Sequence, residues 1–175
     1  TKCFESDLEC TGLVLRIVME RPDLKVLSVK VQSLYKNLQG RSLTLDIDAT
    51  DSTGKRYDIE VQRADSGATP RRARYHASVM DANALKAQDD FEALPEIYVI
   101  FITEHDVMGD GLPLYTAEFR VNETGKPLGV DALILYVNNE IQDPSTELGR
   151  LMHDFSRAEA DEMYSELLAE RTRKF

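Results

Sequence analysis

Long hydrophobic runs are missing from this chain. No apolar stretch approaches the ~20 residues that span a bilayer, and no signal-peptide pattern opens the sequence, so no membrane partner is expected. Cysteine is scarce as well. Cys3 and Cys10 lie close together near the start, with no Cys or His neighbour at zinc-ligand spacing. A reducing cytoplasm and two structural thiols are the default expectation. Positive charge is short: 21 Lys and Arg stand against 31 Asp and Glu, a net charge of −10. Bulk electrostatics therefore argue against a protein held on nucleic acid by overall attraction. Internal repeats, low-complexity tracts and interdomain linkers are absent too. The 175 residues read as a single soluble domain, large enough to bury a core without disulfides. An initial methionine is also lacking, so a short piece is expected to precede Thr1.

What is present centres on the stretch from Leu43 to Arg63. Leu43, Leu45, Ile47 and Ala49 alternate with Thr44, Asp46, Asp48 and Thr50, the period of a half-buried strand. Tyr57, Ile59 and Val61 alternate in the same way with Asp58, Glu60 and Gln62, and Asp51-Ser52-Thr53-Gly54 carries the turn chemistry. A loop from Asp51 to Lys55 pairs Thr50 with Arg56, Asp48 with Asp58, and Asp46 with Glu60. Directly paired residues have Cβ atoms ~5 Å apart, and like charges there are destabilising. A divalent cation is the most economical reason for two stacked carboxylate pairs. Charge is uneven nearby: Lys55, Arg56, Arg63, Arg71, Arg72 and Arg74 face Asp58, Glu60 and Asp65, a local balance of +3 in an acidic protein. The pattern suits one localised anionic ligand; a solvated charged face is the plain alternative.

Taken in order, Ser6 and Glu9 fit a capping box that opens a helix running to about Glu20, before Pro22. Leu24 to Gln32 reads as a strand. Thr69-Pro70 opens a second helix as N-cap and first-turn proline, with Ala73, Ala77, Met80, Ala84 and Ala87 at helical spacing. Arg71, Arg72 and Arg74 in its first turn oppose the helix dipole, which suggests acidic neighbours or a bound anion. The run from Pro95 to Thr103 is nearly all apolar and should be a central strand covered on both faces. His105, between Glu104 and Asp106, reads as an exposed loop histidine before a metal ligand. Tyr115 to Val121 and Ala132 to Val137 are further strands. Leu148, Leu151, Met152 and Phe155 form a helical stripe, and Ser156 with Glu159 fits a second capping box. His153-Asp154 reads as a local surface pair.

The αβββαβ order, with Asp46, thirteen intervening residues and then Glu60-Val61-Gln62, resembles the core of the PD-(D/E)XK nuclease superfamily. Leu45-Asp46, Ile59 to Ala64, Pro70 to Tyr75, Leu94 to Glu104 and Leu148 to Phe155 together resemble the PD-(D/E)XK nuclease family transposases, relatives of the recombination-promoting nucleases. The resemblance covers almost the whole chain. It implies an α/β fold: a restriction-endonuclease-like core over about residues 6–104, with a mixed sheet flanked by helices. Strands and C-terminal helices are appended over about 113–175.

The resemblance further implies Mg²⁺- or Mn²⁺-dependent hydrolysis of DNA phosphodiesters in transposition or recombination. Asp46, Glu60 and the Val61 backbone carbonyl would hold the metal through oxygen. Glu9 is a candidate for a first-helix ligand, its other role being capping partner of Ser6. Arg71, Arg72 and Arg74 would clamp phosphates. Asp48 and Asp58 are set aside as nearer the turn, tuning the site or balancing Arg56. Gln62 stands where the family motif has lysine. An amide orients water but cannot act as a base. The expectation is slow activity that rises toward alkaline pH. A catalytically silent module that binds DNA or protein is the alternative, and a homodimer cutting both strands is an open arrangement.

Overall fold

The computed structural model describes residues 7–37 and 40–174; the expected cap Ser6 and Cys3 lie outside them. Among the described residues, six strands form one sheet in the order β1-β2-β3-β4-β6-β5. The strands are β1 (Val26–Tyr35), β2 (Leu43–Asp51), β3 (Arg56–Gln62), β4 (Ile97–Thr103), β5 (Leu114–Ala117) and β6 (Ala132–Asn138). Four α-helices flank them: α1 (Leu8–Val18), α2 (Pro70–Ala82), α3 (Glu147–Phe155) and α4 (Glu166–Thr172). β1, β2 and β3 pair antiparallel, β3-β4 and β4-β6 pair parallel, and β5 returns antiparallel on β6. The expected mixed sheet between helices is the observed one.

β4 divides the molecule. All seven of its residues are buried. Tyr98, Ile100 and Ile102 join Cys10, Val14, Leu15 and Val18 of α1, with Leu151, Met152 and Leu168 behind them. Ile97, Val99 and Phe101 face the other way, onto Ala73 and Met80 of α2. Parallel strands between helical layers have no wet face, which is why this run lacks polar alternation.

α1 starts one residue from the expected place. Asp7 is its N-cap, accepting hydrogen bonds from the backbone N–H groups of Glu9 (2.8 Å) and Cys10 (3.0 Å). The helix ends at Val18 rather than Glu20, because Glu20 turns left-handed (φ 51°) and Arg21 N–H reaches back to the Arg16 carbonyl at 2.9 Å. This is a Schellman ending ahead of Pro22. α2 opens at Thr69 and Pro70 as expected but stops at Ala82, so Ala84 and Ala87 are outside it.

Two further expectations are corrected. Ser156 ends α3 rather than capping a new helix; α4 begins later, where the Ser165 hydroxyl accepts from Leu168 N–H. The carboxylate of buried Asp154 steers that connection by accepting from the N–H groups of Tyr164 and Ser165, both at 2.8 Å. The long strand expected at 115–121 stops at Ala117, and only an isolated bridge pairs Arg120 with Pro127.

The hairpin itself breaks step at one position. Thr50 pairs with Arg56, Ala49 with Tyr57, Asp48 with Asp58 and Ile47 with Ile59, and the ladder ends there. Ile47 and Ala49 join the α1 core, whereas Leu43 and Leu45 pack with the α2 core. All four are odd-numbered, so strict alternation cannot send them to opposite faces. The change of face falls at Asp46, across from Gln32 of β1, whose φ is +53°. The expected Asp46–Glu60 ladder pair therefore does not form.

Candidate metal centre

The centre is built on β3. Tyr57 and Ile59 go to the α1 core, so Asp58 and Glu60 must point toward α2, where both are buried. Freed from the ladder, the Asp46 backbone N–H donates to Glu60 Oε1 at 2.8 Å. Glu60 Oε2 accepts from Arg72 Nη2 at 3.1 Å and from Gln62 Nε2 at 3.2 Å. Asp58 Oδ2 lies 2.6 Å from His76 Nδ1. Among the described residues, Asp58, Glu60 and His76 offer ligand atoms all within 4.8 Å of one another.

Helix α2 supplies the other wall. The Thr69 hydroxyl caps it by accepting from Arg72 N–H, and residues 72 and 76 fall one turn apart on one side. Arg72 Nε donates to His76 Nε2 at 3.2 Å. A guanidinium has no acceptor, so Nε2 must present its lone pair and the imidazole proton sits on Nδ1. That proton donates to Asp58. Burial holds the His76 pKa below the ordinary histidine value, which agrees with a neutral ring.

Two buried acids side by side resist ionising together. Burial first, then the charge of Asp58, pushes the Glu60 carboxyl up to about 8, against the opposing hydrogen bond from Asp46 N–H. Asp58 is raised well above the usual carboxylate range, by burial and by the charges of Asp46 and Asp48. Asp58 Oδ1 is buried and has no hydrogen-bond partner among the described residues. A proton relieves such a pair, and so does a cation. The unpartnered oxygen, the crowded negative charge and the carboxylate oxygen donors fit a divalent ion.

The expected site residues are not all in one place. Asp46 borders the cluster, but its carboxylate accepts from Gln32 Nε2 at 3.1 Å. Val61 pairs with Ile102 on β4 and packs its side chain toward the α1 core. Glu9 is exposed on α1, which covers the opposite face of the sheet from Glu60. Arg71 and Arg74 are exposed, whereas Arg72 turns inward to the acids. Asp48 does balance Arg56, at 2.9 Å, and also accepts from the Tyr35 hydroxyl at 2.6 Å. His105 is exposed beside Glu140, and His153 pairs with Asp154 at 3.3 Å.

Asp58 and His76 are the members that sequence reasoning passed over. A signal for His76 existed: it falls three residues after Ala73 and four before Met80, on the buried stripe of α2. Asp58 gave a signal as well, its stacked pairing with Asp48, but a turn-proximal acid and a buried one look alike in sequence.

A family model described as PD-(D/E)XK nuclease family transposase matches residues 17–142. The chain belongs to that family. No curated protein and no solved structure matches it. The matched span runs from the last turn of α1 through β6, so it holds Asp46, Asp58, Glu60 and His76 and leaves out Glu9, α3 and α4. Nucleases of this kind use divalent metals, and the buried acids supply a possible place for one. No helix among the described residues is long and apolar enough to cross a membrane.

Proposed function

We propose that this PD-(D/E)XK protein is a divalent-metal-dependent DNA endonuclease serving transposition or recombination. One observation carries the reading: of the buried carboxylate pair, Glu60 accepts from Asp46 N–H, and Asp58 keeps an oxygen with no hydrogen-bond partner among the described residues. Asp46, Asp58, Glu60 and the Val61 backbone carbonyl would hold Mg²⁺ or Mn²⁺. When bound, the ion supplies a Lewis acid for the phosphate, acidifies water and offsets the growing negative charge of phosphoryl transfer.

The chain's own residues do the remaining work. His76 holds Asp58 in place through its Nδ1 proton, and Arg72 fixes the His76 ring from the other side. Gln62 sits at the mouth of the centre, with its Nε2 on Glu60. Its Oε1 stays close to Gly67, where an added Cβ would lie only 2.1 Å away. The amide can receive a hydrogen bond from a water and orient it, but it cannot take the proton. Proton removal therefore falls to solvent, from a water that a bound ion would acidify, and the reaction should speed up as pH rises. Arg71 and Arg74, exposed on the first turn of α2, would meet backbone phosphates.

A second reading, a silent module that binds without cutting, draws on Gln62 in the lysine position. Plasmid nicking separates the two. Mg²⁺- or Mn²⁺-dependent nicking that is lost in Asp46→Ala is expected; intact plasmid under all conditions selects the silent module.

A further inference from the structure

Arg72 does something that a phosphate clamp alone does not require. Its Nη2 lies 3.1 Å from Glu60 Oε2 and its Nε 3.2 Å from His76 Nε2. The Glu60 side chain is 1% exposed and that of Arg72 is 38% exposed. The acid is thus fixed in the interior, while the guanidinium stands at the opening with a path to solvent. With Asp46 N–H on Oε1 and Gln62 sharing Oε2, every oxygen of Glu60 is already engaged.

We propose that Arg72 is a built-in counter-cation that holds Glu60 until a divalent ion takes its place, and that its release turns the guanidinium outward to DNA. This inference rests on the metal-nuclease reading above. The physical argument is competition for one buried acid. A buried carboxylate without a positive partner is costly, and the folded chain offsets that cost with the Arg72 guanidinium beside the proton that the crowded Asp58–Glu60 pair keeps. A divalent ion with twice the charge makes that partner redundant and repels it. Arg72 sits between exposed Arg71 and Arg74 on the first turn of α2. Once displaced, its part-exposed guanidinium is free to turn outward, beside Arg71 and Arg74 on the first turn of α2. Metal binding and DNA binding then favour each other, by reciprocal linkage. Gly67 keeps the exit open, since Gln62 Oε1 and Arg72 Nη1 would lie 2.1 and 3.4 Å from a Cβ at that position.

The test uses the full chain and reads binding, not cleavage. Mn²⁺ titration by calorimetry is expected to show Arg72→Gln binding the ion about tenfold tighter than wild type, the scale of one charged hydrogen bond removed from the competition. Arg72→Lys, which keeps the charge but loses Nε, should fall between them, and Glu60→Gln should bind weakly. In wild type, the Arg72 Nε–H resonance should shift and exchange faster with water as Mg²⁺ saturates. This second readout does not depend on any variant folding. With Ca²⁺ as the ion, a 20-base-pair duplex should bind wild type more tightly than in EDTA, and the gain should shrink in Arg72→Gln. An affinity for Mn²⁺ in folded Arg72→Gln that is unchanged or weaker overturns the proposal and leaves the metal site standing. So does an unmoved Nε–H resonance at saturating Mg²⁺. Failure of both folded wild type and Arg72→Gln to bind Mn²⁺ overturns the metal reading itself, and this inference with it.

Discussion

At the scale of single residues, the centre is a conflict between stability and chemistry. Asp58 is fully buried; its Oδ2 accepts from His76, and its Oδ1 has no hydrogen-bond partner among the described residues. Asp58→Asn keeps the shape and still accepts the His76 proton, while removing one of two crowded acids. The variant should melt at the same temperature as metal-free wild type or higher, yet lose the rise in melting temperature that Mn²⁺ gives wild type; thermal scans with and without the ion check both. Acidity follows the same logic. Burial and the neighbouring Asp58 charge push the Glu60 carboxyl up to about 8 from an ordinary 4.5, so the fold keeps a proton that the unfolded chain has lost between those values. Its contribution to stability is whole below 4.5 and fades as pH rises through about 8. The metal-free protein should therefore lose melting temperature across that window. An ion that replaces the proton reverses the trend, so the Mg²⁺-induced shift should be larger at pH 8.5 than at pH 6. A shift that is constant with pH would mean that no protonated acid is displaced.

At the scale of elements, the turn between β2 and β3 was readable because its chemistry is local. Asp51 Oδ1 accepts from Thr53 N–H, the Thr53 hydroxyl and Lys55 N–H, and Oδ2 accepts from the Tyr57 hydroxyl at 2.8 Å. Asp51→Ala strips all four and leaves the buried Tyr57 hydroxyl unpaired, which should cost about 3 kcal/mol in urea unfolding. The thirteen-residue spacing survives that change, so residual metal binding should persist in the folded fraction. α3 is held differently. A Cβ on Gly149 would fall 2.0 Å from the Asp143 carbonyl oxygen, a backbone atom with nowhere to go. Gly149→Ala should therefore be destabilising by about 1–3 kcal/mol, as for other overpacked sites, with a matching drop in urea midpoint. Less legible was the end of the ladder. Both strands carry the right alternation, but the change of face at Asp46 depends on Gln32 of β1, a residue that local pattern does not connect to it.

At the scale of the whole molecule, the sheet keeps two tasks apart. One face, with α1, α3 and α4, is almost wholly apolar core; the other, with α2, carries the buried acids. Truncation on the first face should then lower stability without touching the ion. Leu168→Ala should cost about 2–5 kcal/mol of unfolding free energy, while Mn²⁺ affinity of the folded protein stays at the wild-type value. A matching loss of affinity would show the two faces to be coupled. The layered α/β order, the hairpin and the doubly covered β4 were determined by the sequence alone, because period, turn chemistry and apolar run length are properties of neighbours along the chain. Which acids share a pocket, which arginine turns inward and which nitrogen of His76 holds its proton were decided only by tertiary structure. Those outcomes depend on burial and on distances between β2, β3 and α2, and the electrostatic cost of a charge is set by what surrounds it in space.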